Sequence, residues 1–308
     1  MKLSWYDVRP VSNWDKLSAT EWIWCLQYIE HLEKLGVKSY FNDPSGDSCF
    51  FFRVINDRLI DIAHGLKKKG KKIIYLLDVN YLERTGESYW LNQVTEKHIR
   101  SSHIFCQLSD LVLCPSPYLV EVVKKYGYLS AYWPQGIDNR HFKAKTEINL
   151  SKPVLVWCGY SIKAEMVEEV ARTLNCNLLI LSDKKPPVNY PFKFKRWKYK
   201  KAPSYILDGD LGIAPRTINN SYNKGHSFFK ILVYLACGLP VLVAPLPSYS
   251  EIVVNGKNGF MCETLDDYRK YYERITPEMG KFAKETALQY DSTVMARALI
   301  NILKERLQ

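Results

Sequence analysis

The stretch Lys224 to Gly259, KGHSFFKILVYLACGLPVLVAPLPSYSEIVVNGKNG, decides the reading of this chain. A polar loop opens an apolar run at helical spacing that carries one charge, Lys230, and stops at Cys237-Gly238. Pro240 then opens a short buried strand, and the loop Pro245 to Ser250 leads to Glu251 and the turn Asn255-Gly256-Lys257-Asn258-Gly259. A helix feeding an all-apolar strand is the repeating unit of a parallel sheet covered on both faces. The first turn of such a helix has unpaired N–H groups and a partial positive charge, to which Lys230 can add a full one. A pyrophosphate is the anion this place suits.

The same alternation extends outward. Upstream lie a strand at Pro153 to Cys158, a helix at Ile162 to Leu174, a strand at Asn177 to Leu181 and a strand at Leu211 to Ala214; the helix before Pro240 spans Ser227 to Ala236. The polar, aperiodic segment Gly136 to Lys152 reads as a linker. Before it come a helix at Glu21 to Lys34, a strand at Val37 to Phe41, an apolar patch at Cys49 to Val54 and a helix at Asp57 to Lys69. A strand at Lys72 to Leu77, a helix at Tyr89 to Leu108, a strand over 110–114, a helix at Pro117 to Tyr126 and a strand at Ser130 to Trp133 complete this half. The pattern predicts an α/β protein of two doubly wound domains, residues 1–145 and 146–285, followed by a C-terminal helix over 286–308.

The chain has 308 residues, about twice the usual single-domain length, which agrees with two domains. Hydrophobic residues make up 47%, enough for packed cores, so a disordered chain is excluded. Lys and Arg number 43 against 32 Asp and Glu, a net charge of +11 that favours an anionic partner. No apolar run reaches the ~18 to 20 residues of a membrane span, and the start lacks a basic region followed by an apolar core. The expected location is cytoplasmic, with peripheral attachment at the inner face of a membrane as its variant. Eight cysteines without a C-x-x-C pair, mostly in apolar segments, predict buried thiols rather than a zinc site. Neither a G-x-G-x-x-G after the first strand nor a G-x-x-x-x-G-K-[ST] is present, which removes the main support for dinucleotide oxidoreductase and P-loop readings.

The opening stretch resembles the donor-binding segment of GT-B glycosyltransferases of the glycogen-synthase-like (group 1, family 4 type) superfamily. These commonly read K-x-x-E-x-x-A-x-G-x-P-V-V, then a loop, an acidic residue and an N-G turn. Lys230, Ala236, Gly238, Pro240, Val241, Glu251, Asn258 and Gly259 stand at matching spacing. A second match is Ser109-Asp110 to Ser116 with Tyr118-Leu119, followed by Pro134-Gln135-Gly136-Ile137-Asp138 and Phe142, with Gln135 where Asn is usual. A third is Val156-Trp157-Cys158-Gly159 to Lys163, similar to the strand and glycine loop that open the donor domain. The resemblance implies a GT-B fold, two Rossmann-like domains facing a central cleft, with the C-terminal helix over 286–308 packing back on the first domain. It also implies transfer of a sugar, with retention of configuration, from a nucleotide-diphosphate donor to a glycan or lipid-linked acceptor, in surface polysaccharide assembly.

Two glutamates that flank the donor helix in retaining members are replaced here by Gly225 and Val233, and the expected His after the fourth strand is absent, Asp78 being the nearest ionisable group. The candidates are therefore assigned by charge and position. Lys230, Arg216 and Lys163 would stabilise the leaving diphosphate, so that neither a metal nor a cofactor is needed. Gly159 allows close approach of backbone to phosphate, and Trp197 borders the base. Glu251 lies near the donor sugar or starts a helix, and Ser227, Tyr234 or backbone groups take the ribose in place of Val233. This last point suggests a deoxyribose donor. Asp78, Glu83 and His226 are candidates for acceptor activation, with Asp78 and His226 carried as the catalytic pair.

Two basic clusters remain. Lys67 to Lys72 surrounds Gly70 at a helix end, where solvation and the helix dipole account for it. Lys193 to Lys201, KFKRWKYKK, interleaves aromatics with charge, as a charged loop, a membrane-surface contact or a single-strand nucleic-acid contact would. No nucleic-acid motif accompanies it, and a nucleic-acid partner is not expected. The alternative to an enzyme is a catalytically silent GT-B subunit that binds nucleotide or glycan.

Overall fold

The computed structural model describes residues 1–6, 19–52, 56–87 and 94–307. In chain order its first elements are β1 (Lys2–Trp5), α1 (Ala19–Glu21), a π turn (Trp22–Leu26), α2 (Gln27–Lys34), β2 (Lys38–Phe41) and β3 (Ser48–Phe52). They continue with α3 (Asp57–Lys68), β4 (Lys72–Leu76), α4 (Glu96–Leu108), β5 (Leu111–Cys114), α5 (Pro117–Lys125) and β6 (Ser130–Tyr132). Then follow β7 (Val154–Cys158), a 3-10 turn (Ser161–Lys163), α6 (Glu165–Leu174), β8 (Asn177–Ser182), β9 (Lys193–Arg196), α7 (Ala202–Ile206) and β10 (Leu211–Ala214). The last are α8 (Ser221–Lys224), α9 (Phe229–Ala236), β11 (Val241–Val243), β12 (Gly259–Met261), α10 (Leu265–Tyr272), α11 (Glu278–Gln289) and α12 (Ser292–Leu307). The ends expected at Val54 and Tyr89 lie outside the described residues.

The strands form two six-stranded sheets, in orders β2-β1-β3-β4-β5-β6 and β12-β11-β10-β7-β8-β9. Every ladder is parallel. Their central strands are buried on both faces, which is why they read as continuous apolar runs. By contacts the chain divides into two compact units: residues 1–136, 219–227 and 292–308 in the first, and 137–218 and 228–291 in the second.

Three strands escape the sequence expectation. β1 is four residues long, too short to show a period, and pairs between β2 and β3. β9, KFKR, was expected as charged loop; it is the outer strand of the second sheet, where alternating Lys and Phe suit an edge that faces solvent. β12 begins at Gly259, expected as part of a turn, and a Cβ there would lie 2.2 Å from the Val241 carbonyl oxygen of the neighbouring strand.

Both units use one device to seat a strand. Asp110, just before β5, accepts from the N–H of Ile73 in β4 at 2.8 Å. Asp210, just before β10, accepts from the N–H of Val154 in β7 at 3.0 Å and from the Lys145 ammonium at 2.8 Å. The motif residue Asp110 is thus a strand tie. In the first unit α12 packs on α2: Ser292 and Thr293 hydroxyls meet the two ring nitrogens of His31 at 3.0 and 3.1 Å, and Trp133 Nε1 donates to the Met295 carbonyl at 3.0 Å. All eight cysteines are buried and free, as expected from their apolar neighbours.

Candidate functional site

Within the second unit the loops after β7, β8, β9, β10 and β11 leave the same end of a parallel sheet, the end where ligands of such folds bind. The loop after β7 begins at Gly159. A Cβ added there would sit 2.6 and 2.7 Å from the Trp157 ring and 3.2 Å from Lys230 Nζ, so only glycine leaves room for both. The Lys230 ammonium stands 4.8 Å from the centroid of the Trp157 ring, a cation–π contact. No carboxylate pairs with Lys230 among the described residues. The residue is half-buried, but protein atoms crowd its charged end. Desolvation first, and then the charge of Arg216, hold its pKa down to about 7, against a small opposing pull from Cys158.

Arg216 follows β10 and is half-buried; its charge also acts on the Tyr249 phenol, which burial pushes up. Two cations thus share one end of the sheet, the charge pattern of an anion site. Lys163 closes the 3-10 turn after Gly159, its N–H donating to the Tyr160 carbonyl at 2.8 Å. Next to it, the Asp183 carboxylate after β8 accepts from the Ser161 N–H at 2.8 Å. Trp197 directly follows β9, its N–H donating to the Ser182 carbonyl at 2.8 Å, while its indole Nε1 is buried with no hydrogen-bond partner among the described residues. Ser248, fully buried in the loop after β11, likewise has an Oγ without a partner. Nothing in the sequence marks Ser248 apart from other loop serines.

Glu251 ends the short 3-10 turn Tyr249–Glu251. Its charge adds to burial in raising the pKa of Tyr290, whose ring packs against Phe228 at 4.9 Å. Phe228 precedes α9, which places Glu251 by the start of the helix that carries Lys230. That helix begins at Phe229 rather than at Ser227, because Phe228 is its N-cap and has no side-chain hydrogen bond to hold an earlier turn. Ser227 itself belongs to the first unit.

One expectation for the ribose changes. Tyr234 is fully buried; its hydroxyl accepts from the Cys158 N–H at 2.7 Å and donates to the Ile213 carbonyl at 3.4 Å, while Gly212 makes space for its ring. It positions the end of β7 and cannot also hold a sugar. Val233 is 2% exposed, a core residue. Gly225, the other replaced position, has no room for a side chain, since a Cβ would meet the Asn80 nitrogen at 2.7 Å and its Cβ at 2.9 Å. The motif pair Asn258 and Gly259 is structural too: Asn258 Nδ2 donates to the Ile252 carbonyl at 2.8 Å and to Thr286 Oγ1 at 3.0 Å, and its Oδ1 accepts from the Val254 N–H at 2.8 Å.

In the first unit, Asp78 and His226 come into one cluster although they lie far apart in sequence. Residues 219–227 insert there, with Ser221 N–H donating to the Thr85 carbonyl at 2.9 Å and Tyr222 joining the core. The Tyr222 ring lies 4.8 Å from His226 and 6.0 Å from Tyr81. Burial, then the charge of Asp78, then Tyr222 raise the Tyr81 pKa, which puts the Asp78 carboxylate beside this aromatic group. Glu83 is held apart by Lys125 at 2.9 Å, Tyr126 at 3.1 Å and Asn80 at 3.3 Å, and hydrogen bonds keep its pKa low despite burial. It is a tied structural carboxylate. No group of three or more His, Cys, Asp or Glu residues among the described residues is arranged to hold a metal ion.

No family model matches the chain, and no curated protein matches it. Solved structures do. Sucrose-phosphate synthase from Thermosynechococcus elongatus aligns over 99% of this chain and 99% of its own, at 11% identity and a TM-score of 0.73. The chain has the GT-B fold. Anabaena HepE, solved with UDP-glucose, covers 99% of this chain and 100% of its own at 13% identity and a TM-score of 0.69. AviGT4, a glycosyltransferase involved in avilamycin A biosynthesis, covers 99% and 98% at 9% identity and a TM-score of 0.64.

Proposed function

We propose that the protein is a glycosyltransferase that takes a sugar from a nucleotide-diphosphate donor and passes it to a hydroxyl of a glycan or lipid-linked acceptor. The observation that carries this reading is Lys230: an ammonium without a carboxylate partner among the described residues, set over Trp157 beside Gly159 and close to Arg216. Such a place favours an anion with at least two charges, and the diphosphate of a nucleotide sugar supplies them. Anabaena HepE, with the same fold, has been solved with UDP and with UDP-glucose, and this supports the donor class.

In this reading Lys230, Arg216 and Lys163 hold the diphosphate and stabilise the charge that grows on it as the glycosidic bond breaks, so no metal is required. Gly159 lets phosphate oxygens approach the backbone. The unpaired indole Nε1 of Trp197 meets a carbonyl of the base, and Glu251 faces the sugar. Asp78 and His226 in the first unit serve the acceptor, one of them taking the hydroxyl proton as the new bond forms. Retention of configuration follows from the family resemblance, and surface polysaccharide assembly is the setting. Ser227 remains a candidate for a ribose hydroxyl.

Incubation with UDP-, GDP- and dTDP-sugars, with and without acceptor glycans, tests the reading. Release of a nucleoside diphosphate from one donor, lost in Lys230→Met, is the expected result. Nucleotide binding without turnover under any condition would point instead to a silent GT-B subunit.

A further inference from the structure

The chain's charge excess is concentrated in one place. Residues 184–201 contain eight Lys and Arg and no Asp or Glu, against a net charge of +11 for the whole chain. Seven of the eight are exposed, Lys195 being half-buried. None forms an ion pair among the described residues. A lysine-bearing edge strand by itself guards a sheet against unwanted pairing, but that needs only a charge or two within the strand. Here the cations continue past β9 on both sides, into Lys184 and Lys185 after β8 and Lys198 after the strand end.

Apolar groups stand next to them. Tyr160 and Ile162, in the loop after β7, are 60% and 62% exposed, the highest values among the exposed large hydrophobic side chains described. That loop is tied to the basic one: Gly159 N–H donates to the Leu181 carbonyl at 3.1 Å, Ser161 N–H to Asp183 at 2.8 Å, and Trp197 N–H to the Ser182 carbonyl at 2.8 Å. Three neighbouring loops of one unit therefore present two bare apolar side chains flanked by lysines that form no ion pair among the described residues, Lys185 lying over the Phe192 ring at 5.7 Å.

We propose that this end of β7, β8 and β9 docks on an anionic lipid surface, with Tyr160 and Ile162 entering the interface and Lys184, Lys185 and Lys198 meeting phosphate headgroups. Apolar tips within a basic surface fit a bilayer boundary, where the side chains gain burial and the cations meet negative surface potential. A polyanion such as single-stranded nucleic acid would satisfy the lysines but leave Ile162 without a partner. The inference needs no nucleotide, although Tyr160 and Ile162 share the loop of Gly159 and Lys163 that the donor reading also uses.

The test is sedimentation of the full chain, without nucleotide, with vesicles of phosphatidylcholine alone or mixed with phosphatidylglycerol. Binding is expected only to the mixed vesicles. A Lys184→Glu, Lys185→Glu, Lys198→Glu triple variant should bind them roughly a hundredfold less, and Tyr160→Ser with Ile162→Ser roughly tenfold less. Unchanged thermal transitions of both variants confirm that they fold, and a milder Lys184→Gln, Lys185→Gln pair replaces the triple variant if it does not. No preference for the anionic vesicles would overturn the proposal. So would full binding by the Tyr160 and Ile162 variant together with equal, salt-sensitive binding to a single-stranded oligonucleotide, which would assign the surface to nucleic acid.

Discussion

At the scale of single residues, Lys230 makes the sharpest demands. Its folded-state pKa, about 7, lies below that of an unfolded lysine, so between these values the unfolded chain holds more protons. The contribution of this group to the stability of the ligand-free protein is therefore fully present at high pH and declines as pH falls towards 7. Thermal melts across that window should show a slope that Lys230→Met removes. A bound diphosphate prefers the charged form, so nucleoside diphosphate affinity should be greatest below about pH 7 and weaken above it, with proton uptake visible by calorimetry in buffers of different ionisation enthalpy. Gly159→Ala should weaken UDP binding by roughly tenfold or more, because the new methyl group must displace the Trp157 ring or the ammonium. A titration of that variant with affinity unchanged would show that the close packing is unrelated to binding.

At the scale of elements, several of the strongest motif residues hold the sheet, and only the remainder are left to the proposed ligand role. Asn258 ties the turn before β12 to α11 through Thr286, with three hydrogen bonds at a fully buried site. Asn258→Ala should cost about 2 to 3 kcal/mol in denaturant unfolding while leaving the nucleotide affinity of the folded fraction intact. The sequence made the buried strands and the helices with clear stops legible, because continuous apolar runs and terminal glycines are local signals. Gly238 is an example, with a φ of +74° at the end of α9. It did not reveal β1, β9 or β12: β1 and β12 span only four and three residues, too few to show a period, and β9 is a partly exposed edge strand rich in lysine. Charge likewise singles out Lys230 and Arg216 from the sequence, and the structure sets the two cations close enough to interact. Tyr234, Trp197 Nε1 and Ser248 could not be sorted, because whether a polar atom is used up or left over depends on partners far away in sequence.

At the scale of the whole molecule, the chain belongs to two units that it enters more than once, since residues 219–227 and α12 both return to the first. Gly225 shows what this does to inherited motifs: the inserted segment packs so closely on Asn80 that a glutamate has no place there. With Val233 buried as well, neither motif position carries a carboxylate, and the proposed donor site has none of the motif's grip on a ribose. UDP and its 2′-deoxy counterpart should accordingly bind within roughly threefold of each other, short of the discrimination expected when a buried polar group must pair with the missing hydroxyl. A tenfold or larger preference for UDP in a thermal-shift series would require another group to grip the ribose.

The central claim, that Lys230 and Arg216 form a diphosphate site, is tested most directly by titrating the protein and its Lys230→Met variant with UDP and with uridine by calorimetry near pH 6.5, just below the Lys230 pKa of about 7. The account predicts that UDP binds, that uridine binds at least roughly a hundredfold more weakly, and that the variant loses most of this difference. Equal affinity for UDP and uridine, or a variant that still prefers UDP as strongly as the parent, would contradict it.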